Sequence, residues 1–160
     1  MKKTALIIIS LLLILTMTGC KKGQKALKTL ECEYDLNSGV NTSTTSTLKI
    51  TFHQDRKSNE LVKGTVVFNT SFSYGLSSSE MDEIKSSLNT QFCEEGFFGE
   101  GTNKSCKIST ETKSATVTVE IDTEKMLAND PDIEIDESTL EDLKLTLEEN
   151  FGKEVKCTIK

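Results

Sequence analysis

The sequence predicts an α+β fold: an antiparallel sheet of about six strands with two helices packed on one face, ordered β-β-β-α-β-β-α-β. Three observations carry this expectation. Apolar and polar residues alternate with period two in several segments, as half-buried strands require. Two Ser-x-x-Glu boxes, Ser77-Ser78-Ser79-Glu80 and Ser138-Thr139-Leu140-Glu141, each precede apolar residues at helical spacing. The 140 residues after position 20 suffice for one domain with a modest core.

Taken in order, Leu30, Cys32, Tyr34 and Leu36 share one face, with Glu31, Glu33 and Asp35 on the other. Ser38-Gly39-Val40-Asn41 suits a turn, and the Thr/Ser run 42–47 fits loop or strand because β-branched threonine tolerates both. Leu48, Ile50 and Phe52 alternate against Lys49 and Thr51, and a polar connection over 53–59 follows. Residues 61–74 read as a long strand offering Val66, Phe68, Phe72 and Tyr74 for packing. Met81, Ile84, Leu88 and Phe92 form the apolar stripe of the first helix, with Gly96 as its stop. Residues 103–109 and 115–121 read as a hairpin that buries Ala115, Val117, Val119 and Ile121. Leu140, Leu143, Leu147 and Phe151 give the second helix, ended by Gly152. Val155, Cys157 and Ile159 alternate in a last strand.

Ahead of this domain lies a different kind of segment. Lys2 and Lys3 are followed by an apolar run over 5–15, broken only by Ser10, and then by Thr16-Met17-Thr18-Gly19-Cys20. The run is too short to span a bilayer and small residues follow it, so residues 1–19 read as a secretory signal peptide. A cysteine at that boundary resembles the lipobox of bacterial lipoproteins. The resemblance implies that Cys20 is acylated, palmitate among the acyl groups, and becomes the first mature residue. Residues 20–28 then form a lysine-rich tether and 29–160 the domain. Its lysines carry no acidic neighbour and are attracted to anionic headgroups by about 1 kcal/mol each close to the surface. The expected location is the cell membrane, lipid-anchored on the extracytoplasmic face.

Composition excludes several classes. Removing Lys2 and Lys3 leaves 17 basic against 25 acidic residues, a charge of −8, which argues against nucleic acid as partner. Arg56 is the lone guanidinium, so bidentate phosphate recognition has almost no material. Tryptophan is absent and only Tyr34 and Tyr74 are tyrosines, which disfavours carbohydrate-stacking platforms.

With Cys20 acylated, Cys32, Cys93, Cys106 and Cys157 remain, an even number that reads as two disulfides in an exported chain. No close Cys-x-x-Cys pair supports zinc. The predicted fold favours Cys93 with Cys106, at a helix end and the following strand, and Cys32 with Cys157, on apolar faces of the first and last strands. Chain-entropy estimates are about 3 kcal/mol for the short loop and at most about 5 kcal/mol for the long one.

A family resemblance spans roughly 60–157. Leu61-Val62-Lys63, leading to Phe72, Gly75, Glu80 and Leu88, is its first part. Val117-Thr118-Val119-Glu120-Ile121-Asp122 with Glu124-Lys125, then Phe151-Gly152-Lys153-Glu154-Val155, complete it. These residues resemble the YehR-like family of small bacterial lipoproteins, a domain family without an assigned biochemical activity. The resemblance supplies fold markers and no catalytic residue; the four mature cysteines are an elaboration on the plainer family pattern.

His53 is the only histidine, placed by the pattern in a surface turn, and no Gly-x-Ser-x-Gly elbow accompanies it. The acidic run Asp130-Pro131-Asp132-Ile133-Glu134-Ile135-Asp136-Glu137 has calcium-loop spacing, but Ile135 stands where the sharp turn needs glycine. It reads instead as a solvated lead-in whose acids favour a helix start. Phe97 and Phe98, set between Gly96 and Gly99, form a possible contact loop, although burial of one ring beneath the helix end is the more ordinary fate. Glu120 and Asp122 are the carboxylates an envelope hydrolase would use, but alternating acids are common strand decoration.

The expectation is therefore a non-catalytic envelope domain, held to the membrane through its lipid and binding an unknown protein or small ligand. Neither cofactor nor metal is called for. The sheet's open face is its expected surface. Alternatives are the envelope hydrolase and an inhibitory or immunity-type module.

Overall fold

The structure is a computed structural model describing residues 26–36, 43–129, 133, 135–152 and 155–160. The expected signal peptide, Cys20, most of the tether and the 38–41 turn lie outside the described residues. Strands β1 (Leu27–Asp35), β2 (Thr44–Asp55) and β3 (Leu61–Phe72) precede helix α1 (Ser78–Leu88) and a π-helical turn, Asn89–Glu94. Then come β4 (Asn103–Glu111), β5 (Ser114–Ile121), α2 (Thr123–Asn129), α3 (Thr139–Phe151) and β6 (Val155–Ile159). The six strands form one sheet in the order β4-β5-β3-β2-β1-β6, every neighbour antiparallel. The predicted α+β class and element order hold, with one short helix added.

The registers line up the predicted apolar residues on one face. One row runs Cys157, Cys32, Ile50, Val66, Val119, Cys106 across all six strands. A second runs Val155, Tyr34, Leu48, Phe68, Val117, Ile108. Because side chains alternate with period two, these rows fix the opposite face as polar. There Lys49 pairs with Glu33 at 3.6 Å, Lys104 with Glu120 at 3.5 Å, and Lys160 with Glu31 at 2.5 Å.

Both cysteine pairs close at the ends of that first row. Cys32 and Cys157 are direct cross-strand partners joined as a disulfide, with Cα atoms 4.0 Å apart. Cys93, on the π-helical turn, is joined to Cys106 of β4. Asn103 reinforces this second junction: its Nδ2 donates to the carbonyls of Phe92 (2.7 Å) and Cys93 (3.1 Å).

Gly64 is fixed by packing. A Cβ there would lie 2.7 Å from Cε1 of Phe52 and 3.0 Å from Cβ of Ile121, so the bare backbone makes room for a fully buried ring.

Several sequence boundaries move. Leu27 and Lys28 belong to β1 rather than the tether, because they pair with Asp55 and Gln54. Strand β2 continues to Asp55, so His53 is a half-buried strand residue and not a turn residue; its Nδ1 lies 3.0 Å from the Thr29 hydroxyl. The turn is tighter and later: Asp55 Oδ1 accepts from the amides of Lys57 and Ser58, and Asn59 takes a left-handed φ of 62°. Gln54 is fully buried, its Nε2 donating to the carbonyls of Asn59 (2.9 Å) and Asp136 (2.7 Å). Strand β3 stops at Phe72, leaving Tyr74 56 % exposed instead of packed. Threonines 44, 45 and 47 resolve as strand.

The first capping box forms as expected, with Ser77 Oγ accepting from the Glu80 amide and Glu80 accepting from the Ser77 amide at 2.8 Å. The second does not. Ser138 makes no side-chain cap; Thr139 Oγ1 and the Asp136 backbone bond reciprocally at 2.8 Å, and Asp136 Oδ1 takes the Ser138 amide at 2.6 Å. The aspartate two residues earlier forms the tighter turn and displaces the box.

Candidate functional site

The site is built from the segment after the π-helical turn. Gly96 has a φ of 76°, and a Cβ there would meet the Gly99 carbonyl oxygen at 2.2 Å, so only glycine permits this reversal. Buried Thr102 braces it, donating its hydroxyl to the Gly99 carbonyl at 2.7 Å. The reversal turns both phenylalanines inward. Phe98 meets Phe52 at 5.7 Å between ring centroids, and Phe97 meets Phe98 at 5.0 Å. Phe97 also lies nearly parallel to Phe151 (6.0 Å, 10°) and to Phe92 (6.2 Å, 11°). Phe97 and Phe98 are thus half-buried packing residues rather than an exposed tip, the ordinary fate of large apolar groups.

Those rings form one wall of a cavity of about 450 Å³. Buried Met126 of α2 and buried Leu143 and Leu147 of α3 line it as well, with half-buried Phe151. Asn129 and Asn150, both exposed, and half-buried Thr146 are its polar members; Ile133 completes the described lining. The volume falls within the range of about 300–1,000 Å³ common for small-molecule sites.

Helix α2, absent from the sequence reading, supplies Met126 and Asn129. It starts where Asp122 Oδ1 accepts from the Lys125 amide (3.3 Å) and the Asp122 carbonyl accepts from Met126 (3.0 Å). Thr123 ties it to the sheet by donating its hydroxyl to the Leu61 carbonyl at 3.0 Å. The signal was Asp122-Thr123-Glu124, an aspartate cap followed by an acidic first turn.

The remaining candidates sit elsewhere. Glu120 and Asp122 line a separate cavity of about 850 Å³ together with Val62, Leu127 and Ile135. Each has a lysine close by, Lys104 at 3.5 Å for Glu120 and Lys125 at 3.5 Å for Asp122. A third cavity, about 410 Å³, lies over the open face among Glu33, Thr47, Lys49, Asn69 and Lys156. Of the acidic run, Asp130, Pro131, Asp132 and Glu134 lie outside the described residues. Asp136 is the turn residue before α3. No group of three or more His, Cys, Asp or Glu with metal-holding geometry occurs among the described residues. Nor is any described helix long and apolar enough to cross a membrane.

Electrostatics outside the cavity is local. Hydrogen bonding and the charge of Lys160 hold the Glu31 carboxyl below its ordinary range. Glu80 is lowered by the Ser77 hydroxyl and amide, and Asp136 by the Ser138 hydroxyl and amide. All three belong to helix-turn or surface pairs. Comparison with family models, curated proteins and solved structures gives no match.

Proposed function

We propose that the protein is a lipid-anchored bacterial envelope domain, non-catalytic, that binds a partner or small ligand on the extracytoplasmic side of the cell membrane. The pairing of Cys32 with Cys157 and Cys93 with Cys106 carries the reading, because such bonds persist in oxidising compartments and are rare in the cytosol. It agrees with the Lys2-Lys3, apolar run and Gly19-Cys20 order at the N-terminus, and with the resemblance to YehR-like lipoproteins. For the binding role, the cavity behind Phe97 and Phe98 offers apolar concave surface. The open sheet face, by contrast, is covered by Thr, Lys and Glu side chains with several ion pairs across it. The helical side is therefore favoured over the open face as the binding surface.

Growth with an alkyne analogue of palmitate tests the anchor. The wild-type chain takes up the label, and Cys20→Ser loses it. Equal labelling of both, or of neither, contradicts the reading.

A further inference from the structure

The geometry points to one ligand class for the cavity between Phe97-Phe98, α2 and α3: an uncharged, lipid-like molecule with a hydrocarbon body and one hydrogen-bonding end. This rests on the proposal that the domain binds rather than catalyses, and adds what it binds. No Asp, Glu, Lys, Arg or His occurs among the described lining residues, so a charged group would lose hydration and find no counter-ion among them. That stands out in a protein whose sequence is 28 % charged, and against the cavities lined by Glu120 and by Glu33, which both carry lysines and acids.

Leu143, Leu147 and Met126 are buried, and Phe97, Phe98 and Phe151 are half-buried, so the depth of the cavity is hydrocarbon and ring. Methionine adapts its unbranched side chain to irregular apolar shapes, and the parallel Phe97 and Phe151 rings present flat walls. The exposed members of the lining are Asn129 and Asn150, whose carboxamides can both donate and accept, and half-buried Thr146 adds a hydroxyl. That combination suits a hydroxyl or ester end held at the rim while the apolar body is withdrawn from water. Burying that body contributes roughly 25 cal/mol per Å² of apolar surface removed from water.

Photo-crosslinking of the full acylated protein in phospholipid nanodiscs tests this. Three diazirine probes of equal chain length are used: a long-chain alcohol, the matching carboxylic acid and the matching trimethylammonium. Sites are read by peptide mass mapping, which separates the cavity from labelling of the tether by bulk lipid. The alcohol is expected to label the peptides containing Phe97-Phe98 and residues 143–151. Thr146→Trp, which fills the cavity, should lower that labelling by about tenfold or more. Asn129→Trp, at an exposed position of the rim, should act in the same direction and guards against misfolding of the first variant; both must retain the two disulfides. Leu145→Trp, on the exposed side of α3 (57 % exposed), should label as wild type. Stronger cavity labelling by the acid or the ammonium than by the alcohol overturns the ligand class and leaves the binding reading standing. Cavity labelling by no probe, or labelling unaffected by both rim substitutions, overturns the site itself.

Discussion

Helices α1 and α3 both begin with a Ser-x-x-Glu box in the sequence, yet they are held in opposite ways. Helix α1 closes its box in full, with Glu80 accepting from the Ser77 amide and hydroxyl, and buries only Leu88. Helix α3 lacks a side-chain cap from Ser138 but buries Thr139, Leu140, Leu143 and Leu147. One is fixed by local hydrogen bonds at its start, the other by its apolar face. Because most helix stability in proteins comes from tertiary packing, α3 should dominate the fold and α1 should be the more separable element. The cavity lies against α3, so the site sits on the firmly held side.

The sharpest way to break this contrast is to truncate the packed face. Leu147→Ala should cost about 2–5 kcal/mol in denaturant unfolding with disulfides intact. A loss under 1 kcal/mol would mean α3 is not anchored as described. Next comes the sheet itself: Gly64→Ala should cost about 1–3 kcal/mol, because the new methyl meets Phe52 and Ile121. Stability equal to wild type would show that the ring is free to move away.

The caps sharpen the comparison from the other side. Ser77→Ala should cost about 1 kcal/mol, whereas Ser138→Ala should stay within about 0.5 kcal/mol. Equal losses would erase the distinction between the two helix starts. The smallest effect is in pH. Glu80 and Asp136, with Glu31, have folded values lowered below their unfolded ones. Their stabilisation is therefore complete above about pH 5 and fades as pH falls through the lowered values. Glu80→Gln should flatten part of the acid-side decline in melting temperature; an unchanged slope would remove the box from the account.

The strands were legible because period-two alternation survives in most of them, β3 interrupting it at Val66-Val67-Phe68, and the disulfides because Cys32 and Cys157 sit on the apolar faces of the first and last of them. Polar ends misled. His53, Gln54 and Asp55 look like a loop, but Gln54 is buried through bonds to Asn59 and Asp136, a partner 82 residues away that no local pattern reveals. Tyr74 alternates correctly yet lies beyond the end of the ladder at Phe72. Helix α2 has seven residues, too few to show a clear period. The glycines around Phe97 and Phe98 marked a special turn, but the direction of the rings depends on Phe52 and Phe151. The cavity was invisible for that reason: it is a product of three elements meeting.

The most direct test is a non-reducing peptide mass map of the native protein extracted from its own membranes. The account predicts a first residue Cys20 carrying a diacylglyceryl group, with Cys32 bonded to Cys157 and Cys93 to Cys106. A chain starting at Met1 with an unmodified Cys20, or Cys32 bonded to Cys93, contradicts it.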